Sequence, residues 1–111
     1  MIEKLNAIDD GKKVVLPKEF VYEVCSDGPI GIALALIEES EPHYHEKTTE
    51  WYLVSEGRAT AYLDGKEIEL RERDVLKIPP KTVHYVKMFW TPVEIWVISN
   101  PPWNEKDHYK V

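Results

Sequence analysis

A single cysteine, no long apolar run, no clustered positive charge and no extended helical pattern: each of these shortages narrows what the chain can be. Cys25 alone cannot form an internal disulfide, in keeping with a reducing compartment, and on an apolar strand it reads as a small buried hydrophobe. No segment approaches the roughly 18 to 20 consecutive apolar residues of a membrane-spanning helix. The opening MIEKLNAIDD has neither the basic start nor the apolar stretch of a signal peptide, so a cytoplasmic protein without a membrane partner is expected. The 14 Lys and Arg alternate with 20 Asp and Glu, for a net charge of −6. Phosphate backbones are bound through a basic stripe, so nucleic acid is not an expected partner. Away from the ends, no ten-residue stretch has convincing helical periodicity.

What is present is alternation. The 111 residues, 43% hydrophobic and 31% charged, have the size and composition of one globular domain, expected to span 1–111 with a core from about 13 to 100 and peripheral ends. Strand-forming runs occur at 13–16, 20–25, 31–38, 49–55, 74–79, 83–89 and 93–99, with turn residues between them. RATAYLDGKEIELR adds two alternating runs joined by Asp64-Gly65, a dipeptide suited to the positive φ of a two-residue hairpin turn. Pro79, Pro80, Pro92, Pro101 and Pro102 fall at strand ends, where a missing N–H costs least. About eight or nine short strands spaced near ten residues apart predict an all-β sandwich or barrel. Residues 1–12 and 103–111 are expected to lie across the surface or against a partner, with PWNEKDHY able to form one helical turn.

HYHEKTTEWYLVSEG, residues 43–57, carries the chemistry. Side chains two apart on a strand share a face, which sends His43 and His45 into one space. Glu50, beyond a four-residue connection, can reach the same space. His84 follows IPPKTV and shares its strand face with Val86 and Met88, opposite Tyr85 and Lys87. Three imidazoles and one carboxylate suit a borderline first-row ion.

These stretches resemble the two motifs of the cupin family. The first motif, Gly-x5-His-x-His-x3–4-Glu-x6-Gly, is matched by His43, His45, Glu50 and Gly57, with Ile37 at the leading glycine position. The second, Gly-x5-Pro-x-Gly-x2-His-x3-Asn, is matched by Pro79 and His84. Arg73, Lys81 and Met88 stand where two glycines and the asparagine would be. The departures touch turn and packing positions and leave every metal-binding position filled.

The resemblance implies a cupin-type double-stranded β-helix, a jelly-roll barrel, in which His43, His45, Glu50 and His84 hold one divalent transition-metal ion: Mn, Fe, Ni, Co, Zn or Cu. One or two coordination positions would stay free for water, substrate or dioxygen. Tyr52 and Val54, in parity with Glu50, and Val86 and Met88, in parity with His84, are the expected pocket walls. His108, near the carboxyl end, is expected to be solvated. VEIWVIS is apolar on both faces, so one face needs cover, and a homodimer is expected. A metalloenzyme acting on a sugar, sugar acid or keto acid by isomerase- or dioxygenase-type chemistry is the leading expectation. A non-catalytic sugar- or metabolite-sensing module using the same cavity is the alternative, and no residue declares itself as an extra base.

Overall fold

Val93, Ile95 and Val97 alternate with Glu94, Trp96 and Ile98 along one continuous strand, and that strand becomes the spine of the larger of two sheets. In the computed structural model, which describes residues 2–111, a four-residue helix α1 (Ala7–Asp10) precedes eleven strands. They are β1 (Lys12–Leu16), β2 (Glu19–Cys25), β3 (Gly31–Ile37), β4 (His43–Tyr44), β5 (Thr49–Glu56), β6 (Ala59–Leu63), β7 (Lys66–Leu70), β8 (Val75–Ile78), β9 (His84–Met88), β10 (Val93–Asn100) and β11 (Tyr109–Lys110). A six-stranded sheet runs β1-β2-β3-β10-β5-β8 and a five-stranded sheet runs β11-β4-β9-β6-β7, every pair antiparallel.

Register explains the interior. Tyr52, Val97, Ala33 and Glu23 stand in one cross-strand row, Val54, Ile95, Ala35 and Val21 in the next, and Glu50, Ser99 and Gly31 in the row at one end. Cross-strand partners face the same side. These rows meet Ala59, Ala61, Leu70 and Val86 of the smaller sheet in one buried core. The small residues Ala59 and Ala61, 0% and 1% exposed, allow the sheets to close on each other.

The hairpin forms where Asp64-Gly65 places it, with φ of 48° and 84°. Asp64 does more than turn the chain. Its carboxylate accepts from Val83 N at 2.9 Å and its N–H donates to Val83 O at 2.8 Å, which fixes the start of the strand carrying His84. Arg73 and Lys81 occupy left-handed backbone with φ of 76° and 67°. The glycine turns of the resembled pattern are therefore kept in shape, at a cost of about 1–2 kcal/mol each. Gly57, at φ 91°, could not carry a side chain cheaply: a Cβ would lie 3.3 Å from Val93 Cα.

Two features were not anticipated. β4 and β11 are two-residue strands, too short for alternation to reveal, and they form only because they pair with each other and β4 with β9. The helix α1 is set by Asn6, whose Oδ1 accepts from Ile8 N and Asp9 N at 3.0 and 3.1 Å. The expected helical turn near the carboxyl end is a 3₁₀ turn at Glu105–Asp107. On the outer face of the larger sheet, Trp96 and Ile98 are half-buried, not openly exposed, with Leu34 between β2 and β10 only 5% exposed. No helix among the described residues is long and apolar enough to cross a membrane.

Candidate metal centre

His43 and His84 are direct cross-strand partners of β4 and β9, His45 follows β4 by one residue, and Glu50 enters from β5 in the larger sheet. One nitrogen or oxygen from each of the four lies within 4.8 Å of the others. His45, Glu50 and His84 are buried at 3%, 5% and 2% exposure, while His43 is half-buried on the side nearest solvent.

All three rings are oriented through Nδ1. His43 Nδ1 donates to Glu41 O at 2.8 Å, His84 Nδ1 to Thr82 O at 2.8 Å and His45 Nδ1 to Asp107 O at 2.7 Å. A carbonyl only accepts, so each Nδ1 carries the proton and each neutral ring keeps its Nε2 lone pair. His84 Nε2 lies 3.1 Å and His45 Nε2 3.2 Å from the same oxygen, Glu50 Oε1. For His45 the contact lacks hydrogen-bond geometry, leaving its Nε2 the one buried side-chain polar atom without a partner among the described residues. Lone pairs and a carboxylate converging in a dry space repel one another unless a proton or a cation lies between them. The donor set fits a divalent ion, and carbonyl-bound Nδ1 atoms are the support that histidine ligands ordinarily have.

Protonation follows the same geometry. Burial pushes His43 down to about 4, with His84 adding to the effect, so His43 is neutral at pH 7. Burial alone would raise the carboxyl of Glu50, but His45 and His84 together outweigh it and hold it at about 2. For His45, burial is outweighed by Glu50 and by the Asp107 carbonyl, and its pKa is raised.

The carboxyl end completes the site, which local pattern could not reveal. Asp107 accepts at its carboxylate from the N–H groups of Glu46, Lys47 and Thr48 at 2.9, 3.1 and 3.2 Å, clamping the loop between His45 and Glu50. His108 is not solvated as its position suggested. It is half-buried and stacked on His43, with centroids 4.4 Å apart and planes 12° apart, because β11 pairs with β4 and draws the segment onto the cluster. Burial, then His45, lowers its pKa.

Among the expected pocket walls, Tyr52 lies beside His84, with ring centroids 6.1 Å apart, and burial raises its hydroxyl well above the ordinary phenol range. Val54 and Val86 belong to the packed core. Met88 is opposite Ala59, four residues along β9 from His84 and half-buried at the far end of that strand.

Glu19 is the acidic residue that sequence reasoning missed. It opens β2 in register with buried Ile37 and two residues before Val21, which packs on the core, so it shares their inward face. Burial, with Glu41 and Glu50 adding negative potential, raises it to about 7. The inward parity of Glu19, Val21 and Glu23 was the available signal.

A hollow of about 360 Å³ lies at the Glu50 end of the larger sheet, lined by Lys12, Glu23, Cys25, Gly31, Ser99 and Trp103 among others. Cys25 is half-buried there. A second hollow, lined by Arg58, Glu69, Arg71 and Asp74, lies at the opposite end of the smaller sheet, beside Leu70, which pairs with Ala59.

The family whose model matches residues 34–94 is described as Cupin domain, and that span holds all four clustered residues. Quercetin 2,3-dioxygenase of Bacillus subtilis is 38% identical over 65 residues, 59% of this chain and 18% of that protein. An uncharacterized protein of Methanocaldococcus jannaschii is 35% identical over 66 residues, 59% of this chain and 53% of that protein. The chain thus spans about half or less of the length of these curated relatives. The Streptomyces nucleoside dehydratase Pac13 superposes with a TM-score of 0.85 at 17% identity, over 100% of this chain and 92% of that one, a likeness of fold alone. Glu19, Trp103, Asp107 and His108 all lie outside the family match.

Proposed function

The chain belongs to the cupin family, and from that premise we propose that His43, His45, Glu50 and His84 hold one divalent transition-metal ion used on a small oxygenated metabolite. A sugar, sugar acid or keto acid is the substrate class. The observation that carries this reading is the tying of all three Nδ1 atoms to carbonyls, with the Nε2 atoms converging on Glu50. When bound, such an ion supplies a Lewis acid with one or two positions open to substrate oxygen. The protein's own groups supply the rest. Glu19, raised to about 7, can hold or release a proton at neutral pH, as a general acid or base must. Tyr52 keeps its proton and can donate a hydrogen bond.

Proton transfer next to a carbonyl, the isomerase type of reaction, is the first reading, with Glu19 as its proposed proton carrier. The identity to quercetin 2,3-dioxygenase favours oxygen chemistry as the second reading, although the shared part is 18% of that enzyme. Metal-loaded protein assayed over a panel of sugars and keto acids separates the two: aldose–ketose interconversion supports the first and oxygen uptake the second. Saturable binding without turnover under every metal would make the chain a sensing module instead.

The half-buried outer face bearing Trp51, Trp96 and Ile98 supports a homodimer formed through the larger sheet. A monomer in light scattering at micromolar concentration would exclude it.

A further inference from the structure

Trp103 Nε1 donates to His108 Nδ1 at 3.1 Å. An indole N–H can only donate, so His108 Nδ1 is the acceptor and the neutral ring carries its proton on Nε2. That N–H has no protein partner among the described residues, whereas every other histidine N–H of the site is spent on a carbonyl. The ring is held face-on against His43 and at an angle to His45, with centroids 4.4 and 5.4 Å away. His43 is also the least buried member of the cluster, so His108 stands on the side from which a small molecule would enter.

The neighbouring hollow of about 360 Å³ meets the same place through two residues. Ser99 is the cross-strand partner of Glu50, and Trp103 is the indole that fixes His108. Its size suits a small metabolite. A loaded cluster would combine a dication, three neutral imidazoles and one carboxylate, for a net charge of +1. The nearby Glu41 carboxylate is paired with Lys110 at 3.3 Å. An anionic oxygen is complemented at the cluster end, while the wall of the hollow carries Lys12 beside Glu23 and Glu105.

We propose that His108 is a ligand-contacting residue of the centre, donating its Nε2–H to an oxygen of a small carboxylate whose body lies in the hollow beside Trp103. The inference rests on reading the four-residue cluster as a metal site, and it concerns residues that the family match does not include.

The test uses full-length protein loaded with Co²⁺, whose visible spectrum reports the coordination sphere, titrated with sodium formate. Wild-type protein is expected to bind both. His108→Ala should weaken formate binding at least tenfold while changing Co²⁺ affinity less than threefold, and His108→Asn, which restores an N–H donor, should recover part of the loss. Trp103→Phe, which leaves His108 free to change tautomer, should weaken formate by a smaller factor and keeps the test usable if His108→Ala folds poorly. Formate affinity unchanged by both substitutions, with Co²⁺ still bound, would overturn this inference alone and leave His108 as cover for His43. Failure of the wild-type chain to bind Co²⁺ at all would overturn the metal reading and this inference with it.

Discussion

His45 donates from Nδ1 to the main-chain oxygen of Asp107 at 2.7 Å, a contact that spans 62 residues of sequence. One residue therefore orients a candidate ligand through its backbone and, through its side chain, secures the loop that leads to Glu50.

Asp107→Ala should loosen both. Removing an acceptor shared by three N–H groups is expected to lower stability by about 1–3 kcal/mol. Metal affinity should fall about 10- to 100-fold, the usual effect of disturbing groups that support a ligand. Urea denaturation and chelator competition measure the two effects. An unchanged metal affinity would mean that His45 is oriented without this segment.

Glu50→Gln removes the carboxylate to which His45 and His84 both point. Zinc and cobalt binding should weaken by at least about 100-fold, since a hard anionic donor becomes a neutral amide. Elemental analysis after dialysis is the measurement, and stoichiometric metal in the variant would remove Glu50 from the ligand set.

Metal affinity should depend on pH through His45. Its pKa is raised above 6.5, and a protonated Nε2 cannot coordinate, so affinity is greatest above that value and falls as pH drops through it. His43, at about 4, and Glu50, at about 2, stay in their coordinating forms until much lower pH. Zinc titrations between pH 5 and 8 should show the decline; a flat curve contradicts it.

Glu19 gives a stability effect of opposite sign to that of an ordinary carboxylate. Its pKa is about 7 when folded and 4.5 as a reference, so between those values the unfolded chain has released a proton that the folded chain retains. Stability is thus lost as pH rises from about 4.5 to about 7 and stays lost above. Glu19→Gln should be more stable than the parent by about 1–3 kcal/mol at pH 8, with the difference vanishing near pH 4. Parallel pH–stability curves for the two proteins would show that Glu19 is not held in the interior.

Arg73 and Lys81 hold left-handed turns without glycine. Arg73→Gly and Lys81→Gly should each stabilise by about 0.5–1 kcal/mol, the left-handed penalty less the added entropy of an unfolded glycine. Lys81 N also donates to His45 O at 2.6 Å, so metal affinity in Lys81→Gly tests whether that turn keeps its place.

Much of the barrel and the core of the site was legible in advance. The Asp64-Gly65 hairpin, the inward parity of His84 with Val86 and the convergence of His43 and His45 with Glu50 all follow from a two-residue period or a turn chemistry written within a few positions. The two-residue extent of β4, the strand β11 and the place of His108 were not legible, and Glu19 showed only as a weak parity with Val21 and Glu23. Two-residue strands have no period, and Glu19 begins its strand where alternation has hardly started.

The three imidazoles mark the division. His43 and His84 take their orientation from carbonyls two residues earlier, Glu41 and Thr82, so their tautomers are local consequences of the chain. His45 takes its own from Asp107, and His108 reaches the cluster only because β11 pairs with β4. The amino-acid order by itself determined which side chains share a face, since alternation is a property of neighbouring backbone units. The tertiary structure alone decided which distant segment closes the site, because that depends on hydrogen bonds between strands whose pairing no local pattern encodes.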